Sequence, residues 1–328
     1  MLTLTIFIIG VALLFDFLNG MNDAANSIAT VVSTRVLSPK MAVLWAAFFN
    51  FVAAFGFGVA VAKTIGKGII DPEIVNHHVI LSALAGAILW THVCTRLGFP
   101  ISVSHSLIGG LAGAGVAKAG LAVLNTAGIT KVVLFIFLAP IIGLVGGFLL
   151  MVSVNWIFRK RTSRGVDRFF RIGQLISSAA YSLGHGTNDA QKTMGIITIL
   201  LYSGGYLSEF EVPMWVILSA HTAIGLGTFT GGWRVIRTMG IKLTHLKPVG
   251  GFCAETGGAV VLLGTAMAGI PVSTTHTIAG AIMGVGSTRR LSAVRWGIAG
   301  RIVVAWILTI PVAFLVAALT YELLSPLF

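Results

Sequence analysis

Apolar runs of roughly 20 residues, the length a helix needs to cross a bilayer, recur along the chain. They lie near 2–33, 40–62, 79–96 and 130–158, and again near 171–200, 212–231, 248–268 and 297–324. Two shorter apolar segments, 100–118 and 271–286, open at or just after prolines 100 and 271. This pattern predicts an all-α integral membrane fold with about ten to twelve transmembrane segments, two of them re-entrant or broken half-helices.

The breaks between runs hold the charge. If 159–171 is cytoplasmic and every segment crosses once, the other cytoplasmic stretches are 34–40, 96–98, 232–247 and 286–301. With 159–171 included, these stretches hold 17 of the 22 Lys and Arg residues. The opposite loops hold Asp71, Glu73, Glu209 and Glu211 against Lys63, Lys67, Lys118 and Lys131. Basic residues concentrate on the cytoplasmic side of membrane proteins. The expected location is therefore the cell membrane, multi-pass, with both termini extracytoplasmic and five crossings on each side of the central loop.

Composition sharpens this picture. Charged residues make up 10% of the chain and hydrophobic ones 56%, too few charges to cover a water-facing surface. The 40 glycines suit closely approaching membrane helices. The run Leu2 to Phe15 lacks a basic start and a small-residue cleavage site, so it reads as mature structure rather than a signal peptide. A net charge of +12 suggests nucleic acid in a soluble protein, but here the basic residues sit in short loops without interleaved stacking aromatics. Cys94 and Cys253 read as buried free thiols.

Two motifs occur twice. Gly20-Met21-Asn22-Asp23-Ala24 precedes Pro100-Ile101-Ser102-Val103-Ser104-His105, and Gly186-Thr187-Asn188-Asp189-Ala190 precedes Pro271-Val272-Ser273-Thr274-Thr275-His276. The Asn-Asp pairs are 166 residues apart and the prolines 171 apart, a drift that five extra residues in 201–212 would absorb. Two matches in the same order and at nearly constant offset point to duplication. With five crossings per half the duplication is inverted, which places a binding site near the midplane between the halves. The expected division is a first repeat over 1–158, a basic loop over 159–170 and a second, inverted repeat over 171–328.

Asp23 and Asp189 are carboxylates within apolar spans, where an ionisable group marks a functional pathway. A neighbouring Gly permits an interrupted helix, and unwound carbonyls, Asn oxygens and a carboxylate would then form a hard oxygen cage for Na⁺, or the Asp would take a proton. The other reading is a pair that caps or braces helices. In the Pro-Ser segments, Pro suits the first helical turn and Ser or Thr its caps. The first turn offers free N–H groups and a positive dipole end, so Ser102, Val103, Ser104, Ser273, Thr274 and Thr275 form two candidate anion cradles without arginine. Capping alone is the alternative. His105 and His276 follow the cradles as supporting hydrogen-bonding groups, and His185 reads likewise. Asp16 is either a supporting carboxylate or a helix–helix contact.

Gly-Met-Asn-Asp-Ala-Ala-Asn at 20–26 and Gly-Thr-Asn-Asp-Ala-Gln-Lys at 186–192, with Pro-x-Ser-x-x-His at 100–105 and 271–276, resemble the duplicated signature of the inorganic phosphate transporter (PiT) family, short prokaryotic type. The resemblance spans both halves. It implies uptake of inorganic phosphate in symport with Na⁺ or H⁺, phosphate held by the two half-helix segments, and cation sites at Asn22, Asp23, Asn26, Asn188, Asp189 and Lys192, with Na⁺ at Asp23 and Asp189. Glu255, a candidate cation or proton coupling site with a structural hydrogen-bonded acid as the alternative, looks like the family's second-half membrane glutamate, and Asn50 stands where many members carry its first-half counterpart. Lys192 replaces the Asn of the first signature, and Ser102-Val103-Ser104 has one hydroxyl fewer than the commoner Ser-Thr-Thr. The implied partners are phosphate and the lipid bilayer, with a homodimer as the assembly to test; nucleic acid is not among them. No cofactor is implied beyond the coupling ion. Sulfate or another oxyanion is the nearest alternative cargo. An anion channel and an intramembrane aspartyl-type enzyme are alternatives of a different class.

Overall fold

The computed structural model describes residues 2–56 and 58–327. Among these residues the chain forms twelve α-helices and no named strand. They are α1 (Leu2–Ser33), α2 (Pro39–Val52), α3 (Ala60–Gly68), α4 (His77–Leu97), α5 (Val103–Ala119) and α6 (Thr126–Ile157). After them come α7 (Ser163–Ser203), α8 (Met214–Thr230), α9 (Trp233–Arg237), α10 (Pro248–Met267), α11 (Thr274–Ser287) and α12 (Trp296–Leu324).

The helices pack across the two halves in matching pairs. α1 packs on α8 and α7 on α2; α5 packs on α12 and α11 on α6; α4 and α10 each contact the long and short helices of their own half. Prolines 140 and 311 lie inside α6 and α12. The link between α7 and α8, 204–213, has ten residues where 34–38 has five. Glycine makes the closest of these approaches possible. A Cβ at Gly109 would lie 2.7 Å from the Ile310 carbonyl of α12, and the equivalent addition at Gly280 would run into the Pro140 backbone of α6. With no side chain between them, the short helices are held tightly against their long partners.

Large apolar side chains such as Phe137, Ile141 and Leu149 on α6 and Ile307, Leu315 and Leu319 on α12 are exposed in rows. A surface of this kind is stable against lipid, not water. The interior holds α1 and α7, buried almost continuously over Phe15–Val31 and Ser177–Leu201 apart from single half-exposed positions.

The structure refines four expectations. Five helices, α1, α4, α6, α10 and α12, are by length and composition alone apolar enough to cross a membrane, and the bent pair Pro39–Phe55 with Ala60–Gly68, taken as one span, makes a sixth. The sequence predicts about ten to twelve segments. Central helices shielded by other helices need not be apolar, which is why α7 fails a test of composition. The 40–62 run is not one straight helix: the helical segments Pro39–Phe55 and Ala60–Gly68 lie at 83° to each other. The 232–247 stretch is not all loop, since α9 and a π-helical turn, Thr238–Lys242, bury Val235, Ile236 and Met239 against α1. The basic 159–170 segment is helical from Ser163, where the Thr162 hydroxyl accepts from Gly165 N at 3.3 Å and caps α7.

The five basic stretches meet at one end of the bundle. Arg171 donates to the Arg35 carbonyl at 3.0 Å, Arg234 to the Arg96 carbonyl at 2.5 Å, and Thr244 to the Ala293 carbonyl at 3.0 Å. A cavity of about 740 Å³ at this end is lined by Arg159, Arg164, His245, Lys247 and Arg289.

Candidate functional site

Helices α1 and α7 run unbroken through both Asn-Asp motifs. The glycines do not interrupt them. At Gly186 an added Cβ would lie 2.6 Å from the Asn50 carbonyl of α2, and at Gly20 it would meet the Ile224 backbone of α8. Each glycine instead lets a neighbouring backbone in. Main-chain carbonyls inside an intact helix are engaged, so any cation cage here is built mainly from side chains.

The two aspartates face one another across the halves. Asp23 and Asp189 offer oxygens within 4.8 Å of each other and of a His185 ring nitrogen. His185 Nε2 lies 3.2 Å from Asp189 Oδ2 and 3.9 Å from Asp23 Oδ2. His185 Nδ1 is 3.1 Å from Asn50 Oδ1, and Asn50 donates through Nδ2 to Thr228 at 2.9 Å. Thr228 thus orients Asn50, and Asn50 orients the imidazole. His185 is more central than its sequence context suggests. Its spacing of four from Asp189 puts both on one helical face, a signal present in the sequence. Asn50 lies on α2 and Glu255 on α10.

The cradles reach the same cluster. Thr274 Oγ1 is 3.3 Å from Asp23 Oδ2 and 3.2 Å from Asp189 Oδ2, and Thr275 donates to Asp23 Oδ1 at 3.3 Å. Asn26 donates to Thr275 at 2.9 Å and reaches Thr274 at 3.3 Å. From the first cradle, Ser104 accepts from Lys192, which also donates to Asp189 and, at 3.3 Å, to the Val272 carbonyl. Ser102 and Ser273 play another part. Each is the N-cap of its short helix, accepting from His105 N at 3.3 Å and from His276 N at 3.2 Å. For these two hydroxyls the capping role is the one realised. The N–H groups of Val103, Ser104, Thr274 and Thr275 belong to the first turns, where no intrahelical acceptor exists. Both cradles are therefore available for an anion, with Thr274 and Thr275 held by the aspartates in this structure.

The remaining candidates surround this centre. Asn22 donates to Thr95 of α4 at 2.7 Å and Asn188 to the Leu262 carbonyl of α10 at 2.7 Å, so both amide nitrogens tie their helices to neighbours. Their Oδ1 atoms are buried without a hydrogen-bond partner among the described residues. His105 and His276 meet edge to face at 4.9 Å, and His276 stacks on Trp306 at 3.8 Å. They pack the half-helices together behind the cradles. Glu255 stands apart, accepting from Thr30 at 2.5 Å, Gln174 at 2.9 Å and Ser177 at 2.5 Å. Asp16 is fully buried in α1.

Comparison with known proteins gives a consistent result. The sequence profile described as "Phosphate transporter family" matches residues 19–317. A "Probable low-affinity inorganic phosphate transporter" of Rhizobium meliloti (strain 1021) is 59% identical over 315 residues, covering 96% of this chain and 94% of the relative. A protein of the same description from Bacillus subtilis (strain 168) is 44% identical, covering 100% of this chain and 99% of the relative. A solved structure titled "The sodium-dependent phosphate transporter" superposes with a TM-score of 0.90 at 26% identity, covering 99% of this chain and 100% of that one.

Proposed function

The chain belongs to the phosphate transporter family, and we propose on that premise that it is a secondary carrier that moves inorganic phosphate across the cell membrane together with a cation. Membership in a family of transporters replaces the aspartyl-enzyme alternative. The solved sodium-dependent relative supports Na⁺ as the coupling ion.

One observation carries the reading: residues of both short-helix N-termini converge on the Asp23–Asp189 pair. Helix N-termini favour anions through free N–H groups and the dipole. Carboxylates at the same place repel an anion unless a cation or a donated proton intervenes. Binding of the anion and the cation is thereby coupled, which is the requirement for symport. Phosphate at neutral pH carries a proton to donate to a carboxylate, and sulfate does not, so the same cluster favours phosphate.

In this reading residues 1–158 and 171–328 are inverted repeats. The end that gathers the basic stretches faces the cytoplasm, and both termini lie outside. Asp23, Asn26, Asp189 and Lys192 form the cation-coupling layer, with the Asn22 and Asn188 oxygens beside it. The 103–104 and 274–275 turns, capped by Ser102 and Ser273, take the phosphate. Selectivity tests it on purified protein in NaCl: phosphate should raise the melting temperature, sulfate should not, and Thr274→Val should weaken the phosphate effect. Equal stabilisation by both anions, unmoved by Thr274→Val, contradicts it.

A further inference from the structure

We propose that the ammonium of Lys192 is a built-in cation occupying the second-half ion site, so that a single Na⁺, held at Asp23, Asn26 and Thr275, accompanies phosphate through this pair of motifs. The inference rests on the symport reading above and specifies how many ions the two motifs bind.

The halves supply the comparison. The 166-residue offset pairs Asp23 with Asp189 and Asn26 with Lys192; the 171-residue offset pairs Ser104 with Thr275 and Ile101 with Val272. In the second half, Lys192 Nζ is held by Asp189 Oδ1, Ser104 Oγ and the Val272 carbonyl. A carboxylate, a hydroxyl and a carbonyl are the donors a hard cation takes. The side chain is 1% exposed, so the ammonium has no access to bulk water. It also joins α7, the start of α5 and the approach to α11, the three elements an ion at that place would bridge.

The first half has the same frame without the ammonium. Thr275 donates to Asp23 Oδ1 at 3.3 Å, and Asn26 donates through Nδ2 to Thr275 at 2.9 Å. Asn26 Oδ1 is buried and lacks a hydrogen-bond partner among the described residues. A buried amide oxygen without a donor, beside a carboxylate and a hydroxyl, is the ligand set that Na⁺ satisfies. The Asp189 carboxylate is already paired with the Lys192 ammonium, whereas Asp23 meets the His185 imidazole only at 3.9 Å and is left for a cation. A second Na⁺ at Asp189 would share its carboxylate with the ammonium and be repelled by it. Because Lys192 is covalently tethered, its charge stays behind when phosphate leaves and adds nothing to the number of ions carried.

The test compares wild type, Lys192→Asn and Lys192→Met, each purified in NaCl or in choline chloride at one pH. In proteoliposomes the rate of labelled phosphate uptake should rise with Na⁺ with a Hill coefficient of about one in wild type and above one in Lys192→Asn, since the coefficient cannot exceed the number of sites. Melting temperatures give a reading independent of transport: Na⁺ should stabilise both variants more than wild type, with choline ineffective. A Lys192→Asn protein that folds only in Na⁺ supports the proposal in the same way. Identical Na⁺ dependence in all three proteins overturns it, as do variants that fail to fold in either salt, because Na⁺ then cannot replace the ammonium. Wild type that takes up no phosphate refutes the carrier reading, while the melting comparison still decides the role of Lys192.

Discussion

Asp23 and Thr275 stand 252 positions apart and meet at 3.3 Å. The first lies in the middle of a continuous helix of one half, the second in the first turn of a short helix of the other. Motifs that suggest separate chemistries, a cation cage and an anion cradle, are thus in direct contact. In the proposed mechanism, a ligand at either motif alters the surroundings of the other.

The hydroxyls separate into two classes. Thr274→Val and Thr275→Val each remove a hydrogen bond to a charged group, worth about 1.5–3 kcal/mol. Apparent phosphate affinity should fall roughly tenfold to a hundredfold, at about 1.4 kcal/mol per decade. Ser102→Ala and Ser273→Ala remove N-caps instead and should cost about 1 kcal/mol of stability. Uptake kinetics and melting curves on the four variants check the division.

The two aspartates hold the same place in the doubled sequence motif but differ in their surroundings. Asp23→Asn and Asp189→Asn should both abolish gradient-driven uptake. Asp189→Asn also strands the Lys192 ammonium, and breaking a buried ion pair typically costs about 3–5 kcal/mol. Its melting temperature should therefore fall clearly below that of Asp23→Asn. Equal melting temperatures would show that Lys192 finds another partner at no cost.

Glycine 186 is a packing residue. Gly186→Ala pushes a methyl group into the Asn50 backbone, an overpacking that costs about 1–3 kcal/mol. It also displaces Asn50 from His185, so turnover should drop with stability. Gly10→Ala meets nothing within 4 Å and should leave both unchanged or slightly raise stability. Thermal melts and uptake rates of the pair test this.

Orientation is open to chemical labelling. Cys94 and Cys253 are buried, so background reaction is low. A cysteine at Ser208 should react with an impermeant thiol reagent from outside whole cells, and one at Ser163 should react only after the membrane is opened. The reverse pattern inverts the topology.

Much of this was legible in the sequence, for identifiable reasons. The apolar runs predicted membrane helices because lipid contact demands them, and the doubled motifs led to the residues that converge because both copies kept Asn, Asp, Pro and Ser at fixed offsets. The errors share a cause. Gly20 and Gly186 look like helix breaks in isolation; only the backbones of α8 and α2 reveal close approach instead. The bend after Phe55 and the buried turn at 233–242 depend on packing against α7 and α1. The centrality of His185 comes from Asp23 and Asn50, which are distant in sequence.

In the proposed mechanism, phosphate movement is coupled to a cation gradient through the Asp23–Asp189 cluster. Labelled phosphate should be followed over time in proteoliposomes carrying an inward Na⁺ gradient, and separately an inward H⁺ gradient, with no phosphate gradient at the start. The Na⁺ gradient should drive internal phosphate transiently above the external concentration, and this excess should disappear in Asp23→Asn. Phosphate that rises only to equality under both gradients, in wild type and variant alike, would contradict it.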